Sequence, residues 1–434
     1  MSVTANPITE GVLLSHAPNV FTAAETANST EDNYRLYCLV EIDSEKIIRM
    51  SRIPNPNGSA HFELREVLRQ TSPIHTALHP TALSDDSASI HYIPSAGDYP
   101  RRCQSLSRKN VVAEVEITIG ETYTDSNGND QDNVFDTYEA VIIHGALQHP
   151  KLEWNAEDYK VVGAGSDSRL ALPLTIRDNY NVTVKDSDNG ALGYFMNDGT
   201  VEASFFKLRL RYYDSGDNLL DTSERDIPSD FIVANTSYSV QFFSIYPDNL
   251  ERQSLPVSNG MTRPSAVPNW SYYIFDLIDR DRDIPITEPM RFNRECETSY
   301  ENVRLGFVNN LGGWDYVNFD LRARQRVEVD RNESEKLPGT WGDANFSLNS
   351  HDRGLDVDNS ISRERLTVTT KATISEVDVI SKLINSREVV WLKEFNAPVA
   401  VRVTDSNVQK KRSGDRDYNT VSITFETAIK EISA

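Results

Sequence analysis

Four short patterns in the chain carry residue types whose spacing could support chemistry. His75-x-x-x-His79 has the spacing of two metal ligands on one helical face. Pro73 and Pro80 flank it and oppose a helix, because proline lacks the amide donor and crowds the preceding turn. Asp125-x-Asn127-x-Asn129 opens like a calcium-binding loop. Such a loop needs glycine at its sixth position and glutamate at its twelfth; the sixth here is Asp130, and no glutamate closes it. A solvated hairpin turn is therefore expected. Ser204-x-x-Lys207 matches a serine–lysine nucleophile pair on paper, but it falls on an alternating strand, where residues three apart point to opposite faces. Gly163-x-Gly165 lacks the third glycine and the strand-to-helix context of a dinucleotide loop. No catalytic, cofactor-binding or metal-ligating residue is expected, and the chain is read as a non-enzyme. A carboxylate pair for glycoside hydrolysis needs only to meet in space. With 65 acidic residues, sequence alone says little about such a pair.

The elements that must position these residues are strands. In Val303–Arg322, Val303, Leu305 and Phe307 share one face before a turn, and Val317, Phe319 and Leu321 share one after it. Asn309, Asn310, Gly312 and Gly313 lie between, residue types that tolerate positive φ. Trp314 and Tyr316 take the opposite face, so this hairpin should be covered on both sides.

Taken in order, residues 1–30 are polar and read as an arm, either free or docked on a neighbour. A β domain is expected over 31–155, beginning with the alternation Tyr34, Leu36, Cys38, Val40, Ile42. A second β domain is expected over 156–290, with Leu208, Leu210 and Tyr212 inward and an aromatic stretch from Trp270 to Leu277. The hairpin region 291–336 completes a sheet, and the Gly-, Asn- and Asp-rich stretch 337–360 reads as a linker or long loop. A C-terminal α+β domain is expected over 361–434. Its one short helix has Ser375 as N-cap, Asp378 three residues on, and a stripe of Val377, Ile380, Leu383 and Ile384. Turn signals recur roughly every 8 to 15 residues throughout. The fold class is mainly β, with several antiparallel sandwich- or barrel-like domains in tandem.

Composition narrows the function. The 434 residues exceed what one compact core organises. Lys plus Arg number 44, and the formal net charge is -21, which opposes sequence-specific contact with nucleic acid. Cys38, Cys103 and Cys296 are too few and too scattered for a disulfide framework or a zinc site. The first residues carry no signal-peptide pattern, and no stretch reaches the roughly 18 apolar residues of a membrane span. The expectation is a soluble chain made in a reducing cytoplasm.

Several segments, in order, resemble virion structural proteins of tailed bacteriophages infecting Bacteroidota and related marine hosts. They are Gly58-Ser-Ala-His-Phe-Glu-Leu-Arg65, Ile119-Gly-Glu-Thr-Tyr123, His144-Gly-Ala-Leu147 and Arg291-Phe-Asn-Arg-Glu-Cys296. Leu305 to Phe319 follows, then the C-terminal unit from Ser375 through Asn385-Ser-Arg-Glu-Val389, Pro398-Val-Ala-Val401 and Val403-Thr-Asp405. The resemblance implies a virion protein located in the tail, tail tip or baseplate. It implies copies of the chain joined as a symmetric ring, other phage structural proteins as neighbours, and a host surface receptor as a further partner. It supplies no catalytic residue. The neck and a decoration or fibre-anchoring position are the competing places in the virion. Two competitors come from other classes. A carbohydrate-binding adhesion module would use Trp270, Tyr272, Tyr273, Trp314 and Tyr316 to stack on sugars, and a glycan depolymerase would use a carboxylate pair.

Overall fold

A computed structural model of the chain describes residues 4–5, 12–15, 19–42, 46–71, 112–143, 160–162, 168–177, 180–197, 206–226, 238–243, 245–252, 261–279, 283–285, 287–295, 300–341, 345–348, 354–394, 397–407, 419–428 and 431–433. The fold is mainly β, and the chain forms two compact units. One comprises Met1–Glu297 with Val308–Asp315; the other comprises Thr298–Phe307 with Tyr316–Ala434.

The first unit starts with a five-stranded sheet. Its order is Val12–Leu14, Asp130–Ile143, Val112–Thr124, Asp32–Ile42, Lys46–Arg52. A three-stranded sheet of Thr4–Ala5, Val20–Ala24 and Ser59–Glu63 packs on it. The alternation read from sequence sets the inward face: Leu36, Cys38, Val40, Val115, Ile117 and Ile119 are buried. Phe21, Ala23, Ala60 and Phe62 reach the same core from the smaller sheet, and Leu64 and Leu68 add the apolar side of helix Arg65–Thr71. Each Val, Leu, Ile or Phe among them contributes about 1.5–3 kcal/mol by leaving water.

Strands from Lys160 to Arg294 build a second pair of sheets. One has the order Tyr238–Phe243, Leu192–Asn197, Ser168–Pro173, Lys160–Val162. The other has the order Asn181–Val184, Met290–Arg294, Tyr272–Asp279, Phe206–Tyr213, Leu219–Asp226, with Ile284–Pro285 also on Tyr272–Asp279. Aromatic rings fill the space between them. Tyr194 and Phe243 of the first sheet meet Phe275 of the second at 6.2 and 6.0 Å. Among the described residues, these strands pair with one another and never with those before residue 144.

The second unit is organised by an eight-stranded sheet. Its order is Trp314–Phe319, Val303–Val308, Val389–Glu394, Ala397–Asn407, Asn419–Thr427, Leu355–Ala372, Ala323–Glu335, with Glu431–Ser433 also on Leu355–Ala372. Helix Ile374–Asn385 buries Val377, Val379, Ile380 and Leu383.

Several sequence expectations need correction. Within the expected arm, Val20–Ala24 is a strand of the core, because Phe21 and Ala23 alternate inward. The stretch 337–360, expected as a linker or long loop, ends in a strand, since Leu355–Ala372 begins within it and pairs with Ala323–Glu335 through thirteen partner positions. The hairpin region 291–336 is divided: Met290–Arg294 joins the earlier six-stranded sheet, whereas Val303 onward joins the eight-stranded one. The C-terminal helix is capped by Thr373 instead of Ser375. The Thr373 side chain accepts from the Glu376 amide and the Glu376 carboxylate accepts from the Thr373 amide, a capping box two residues earlier. Pro247–Glu251 is a further helix that the sequence reading did not expect, whereas Arg65–Thr71 falls where Leu64, Val67 and Leu68 share one side of a short helix expected over Glu63–Gln70. Among the described residues, Val12–Leu14 pairs in parallel with Val141–Ile143, and Asn181–Val184 with Met290–Arg294.

Candidate functional site

Only one of the four sequence patterns lies within the described residues. His75, His79, Gly163, Gly165 and Ser204 lie outside them, as do Cys103 and Cys296. Lys207, the second half of the serine–lysine pattern, sits 3.4 Å from Glu224 on the neighbouring strand. Cys38 is buried, and burial pushes its thiol up to about 12.

The Asp125 loop is a hairpin turn whose carboxylate is spent on the turn itself. One oxygen accepts the Asn127 and Asn129 amides, each at 2.9 Å; the other accepts from Gln131 Nε2 at 3.0 Å. Asp214 repeats the device, accepting from the Gly216 and Asn218 amides at 2.8 and 2.9 Å. These bonds hold both carboxyls below their usual range, led by the Asn129 amide for Asp125 and by the Asn218 side chain for Asp214. Among the described residues, no group of three or more His, Cys, Asp or Glu side chains could hold a metal.

The rings considered for sugar stacking are core residues. Trp270, Tyr272, Tyr273, Trp314 and Tyr316 are all buried. Tyr272 is covered by Tyr213, stacked at 4.9 Å, and by the Arg291 guanidinium at 3.6 Å.

Three buried carboxylates hold structure together, and sequence reasoning did not single them out. Glu121 accepts from Thr26 Oγ1 at 2.6 Å, Asn28 Nδ2 at 2.7 Å, the Tyr34 hydroxyl at 3.0 Å and Asn133 Nδ2 at 3.1 Å. Burial raises its pKa, but these donors outweigh burial and leave it lowered. A signal for it existed: Glu121 continues the inward series Ala113, Val115, Ile117, Ile119. Asp276 lies buried 2.6 Å from Arg211 and 3.4 Å from Arg209. Asp315 accepts from Thr175 Oγ1 at 2.6 Å and from the Ile176 amide at 3.1 Å.

The long hairpin of the second unit differs in character from these buried sites. Its base belongs to the sheet, where Leu366 and Val368 are buried. Further out, Val327 and Val329 are 60% and 46% exposed, and Leu355 and Val357 are exposed on the partner strand. Leu337, Phe346 and Leu348, in the segment between the two strands, are exposed as well. Ion pairs stiffen the ribbon, including Arg365 to Glu328 at 2.9 Å, Arg363 to Asp330 at 3.4 Å, and Lys336 to Asp356. A ribbon that keeps its strands paired while leaving apolar side chains in water has the composition of a contact surface.

No protein-family model matches the chain, and no curated protein sequence matches it. Among the described residues, no helix is long and apolar enough to cross a membrane.

Proposed function

We propose that the chain is a structural component of a tailed-bacteriophage virion, set in the tail or at its tip, where copies assemble as a symmetric ring with other virion proteins as neighbours. The observation that carries the assignment is the exposed ribbon of Ala323–Glu335 and Leu355–Ala372 on an otherwise well-buried β scaffold. Such a scaffold is rigid, and the ribbon offers apolar side chains and backbone groups to a neighbour. The ordered segments that resemble phage virion proteins support the same assignment. Glu121, Asp276 and Asp315 are each engaged by several donors, which fits support of the scaffold better than acid–base chemistry. The burial of the five candidate sugar-stacking rings removes the observation that favoured an adhesion module.

Mass spectrometry of density-purified particles, from a phage whose genome encodes the chain, tests the assignment. Its peptides should appear at a copy number comparable with other tail proteins. Their absence from intact particles, with the protein abundant in the infected-cell lysate, would overturn it.

A further inference from the structure

We propose that the free edge of strand Ala323–Glu335 pairs with the same edge of a second copy of this chain, antiparallel about a two-fold axis at Val327. The contact goes beyond the virion assignment and does not depend on it.

Among the described residues, Ala323–Glu335 ends the eight-stranded sheet: Leu355–Ala372 lies on one side and no strand on the other. The strand has thirteen residues, mostly exposed. An edge of that length spans on the order of 40 Å and turns alternate N–H and C=O groups outward, the arrangement that recruits another strand. Natural edges of this kind are protected by short length, a bulge, charged side chains or a covering element, and the charges of this edge are ordered so that a second copy can match them. Here the only bulge lies at Asn332/Glu333, near the far end, which leaves Ala323–Arg331 regular.

The identity of the occupant follows from the order of charges. Arg324 and Arg326 precede Val327; Glu328 and Asp330 follow it. Antiparallel pairing of two copies about Val327 sets Arg326 against Glu328, Arg324 against Asp330, and Val327 against its own mate. The two-fold axis repeats both charge pairs. Parallel pairing in register would instead oppose every charge to itself. Moving the axis by one residue sets Glu328 against Glu328. Charge complementarity therefore selects one partner, one direction and one register, since like charges directly opposite are unfavourable. The faces agree: Val327 and Val329 share one side of the strand, while the four charged residues share the other. Glu328 and Asp330 also meet Arg365 and Arg363 within the chain, so the acids are held in place before a partner arrives.

The test uses the full-length chain and two charge-reversed variants, Arg324→Asp with Arg326→Glu, and Glu328→Arg with Asp330→Arg. Native mass and light scattering read the assembly. The wild type should be a dimer or an even multiple of one. Each variant alone should self-associate at least about tenfold more weakly, and an equimolar mixture of the two should regain the assembly, because their strands are again complementary. Val327→Lys supplies a second variant at an exposed position, should either reversal fail to fold, and it should also separate the copies. If the chain forms rings through other surfaces, each variant should halve the mass of the assembly. A monomeric wild type, an assembly indifferent to all three variants, or a mixture that stays dissociated would overturn the proposal. Absence from virions would overturn only the virion assignment.

Discussion

Asn309 Nδ2 and Asp315 Oδ2 stand 2.6 Å apart, closing the hairpin turn from the inside. Asn309 also donates to the Leu174 carbonyl at 2.8 Å, and its own oxygen accepts the Leu311 and Gly313 amides. The turn is thus fixed by one asparagine and one buried aspartate. Asp315→Ala removes the acceptor of the Thr175 hydroxyl and the Ile176 amide, and takes one of the four bonds of the Asn309 side chain. The expected loss is about 3 kcal/mol, read from the urea midpoint, with a smaller loss for Asp315→Asn. A change below about 0.5 kcal/mol would show that the network does not hold the turn.

Gly313 belongs to the same turn for a different reason. Of the turn glycines, only Gly312 has positive φ, at 79°. Gly313 is needed because a Cβ there would collide with the Leu174 carbonyl. Gly313→Ala should therefore destabilise more than Gly312→Ala, each measured by thermal unfolding. The reverse order would contradict the close approach.

Glu121 and Glu388 should give the chain two opposite responses to pH. The donors around Glu121 hold its folded pKa below the unfolded one, so its contribution is present above about pH 4.5 and is lost as pH falls through the lowered value. Glu121→Gln should remove that acid sensitivity. Glu388 has a buried carboxyl oxygen without a hydrogen-bond partner among the described residues, and burial pushes its pKa from 4.5 to about 7, against the pull of Arg387. Its folded state binds the proton more tightly than its unfolded state, so stability declines between about pH 4.5 and 7. Glu388→Gln should raise stability at pH 8 by on the order of 2 kcal/mol and change little at pH 4. Equal effects at both pH values would contradict the assignment.

Asp276 offers a test of the second sandwich. Asp276→Ala leaves the Arg209 and Arg211 guanidiniums without the buried carboxylate that both face. The expected cost is about 3 kcal/mol. Arg211→Met on top of it should recover part of the loss, which chemical denaturation would report.

Much of the β architecture was legible because burial follows a period of two. Tyr34, Leu36, Cys38, Val40 and Ile42 are read off as inward, and all five are buried. What escaped was long-range or ambiguous in composition. Gly, Asn and Asp between residues 337 and 360 suit a linker and a hairpin loop equally, and only the pairing of Glu335 with Leu355 decides. Val12–Leu14 finds its parallel mate at Val141–Ile143 without any local signal. The valines at 327 and 329 alternate like a core strand yet stay exposed, because nothing within the described chain covers them. Their alternation gives a face to the strand, but it cannot say what covers that face.

Gold-labelled antibody against this chain, applied to phage particles whose genome encodes it and viewed by electron microscopy, tests the central claim most directly. Label confined to the tail or its distal tip, at a constant number of positions around the axis, is the predicted result. Unlabelled intact particles, under conditions that label a known tail protein, would contradict a structural place in the virion.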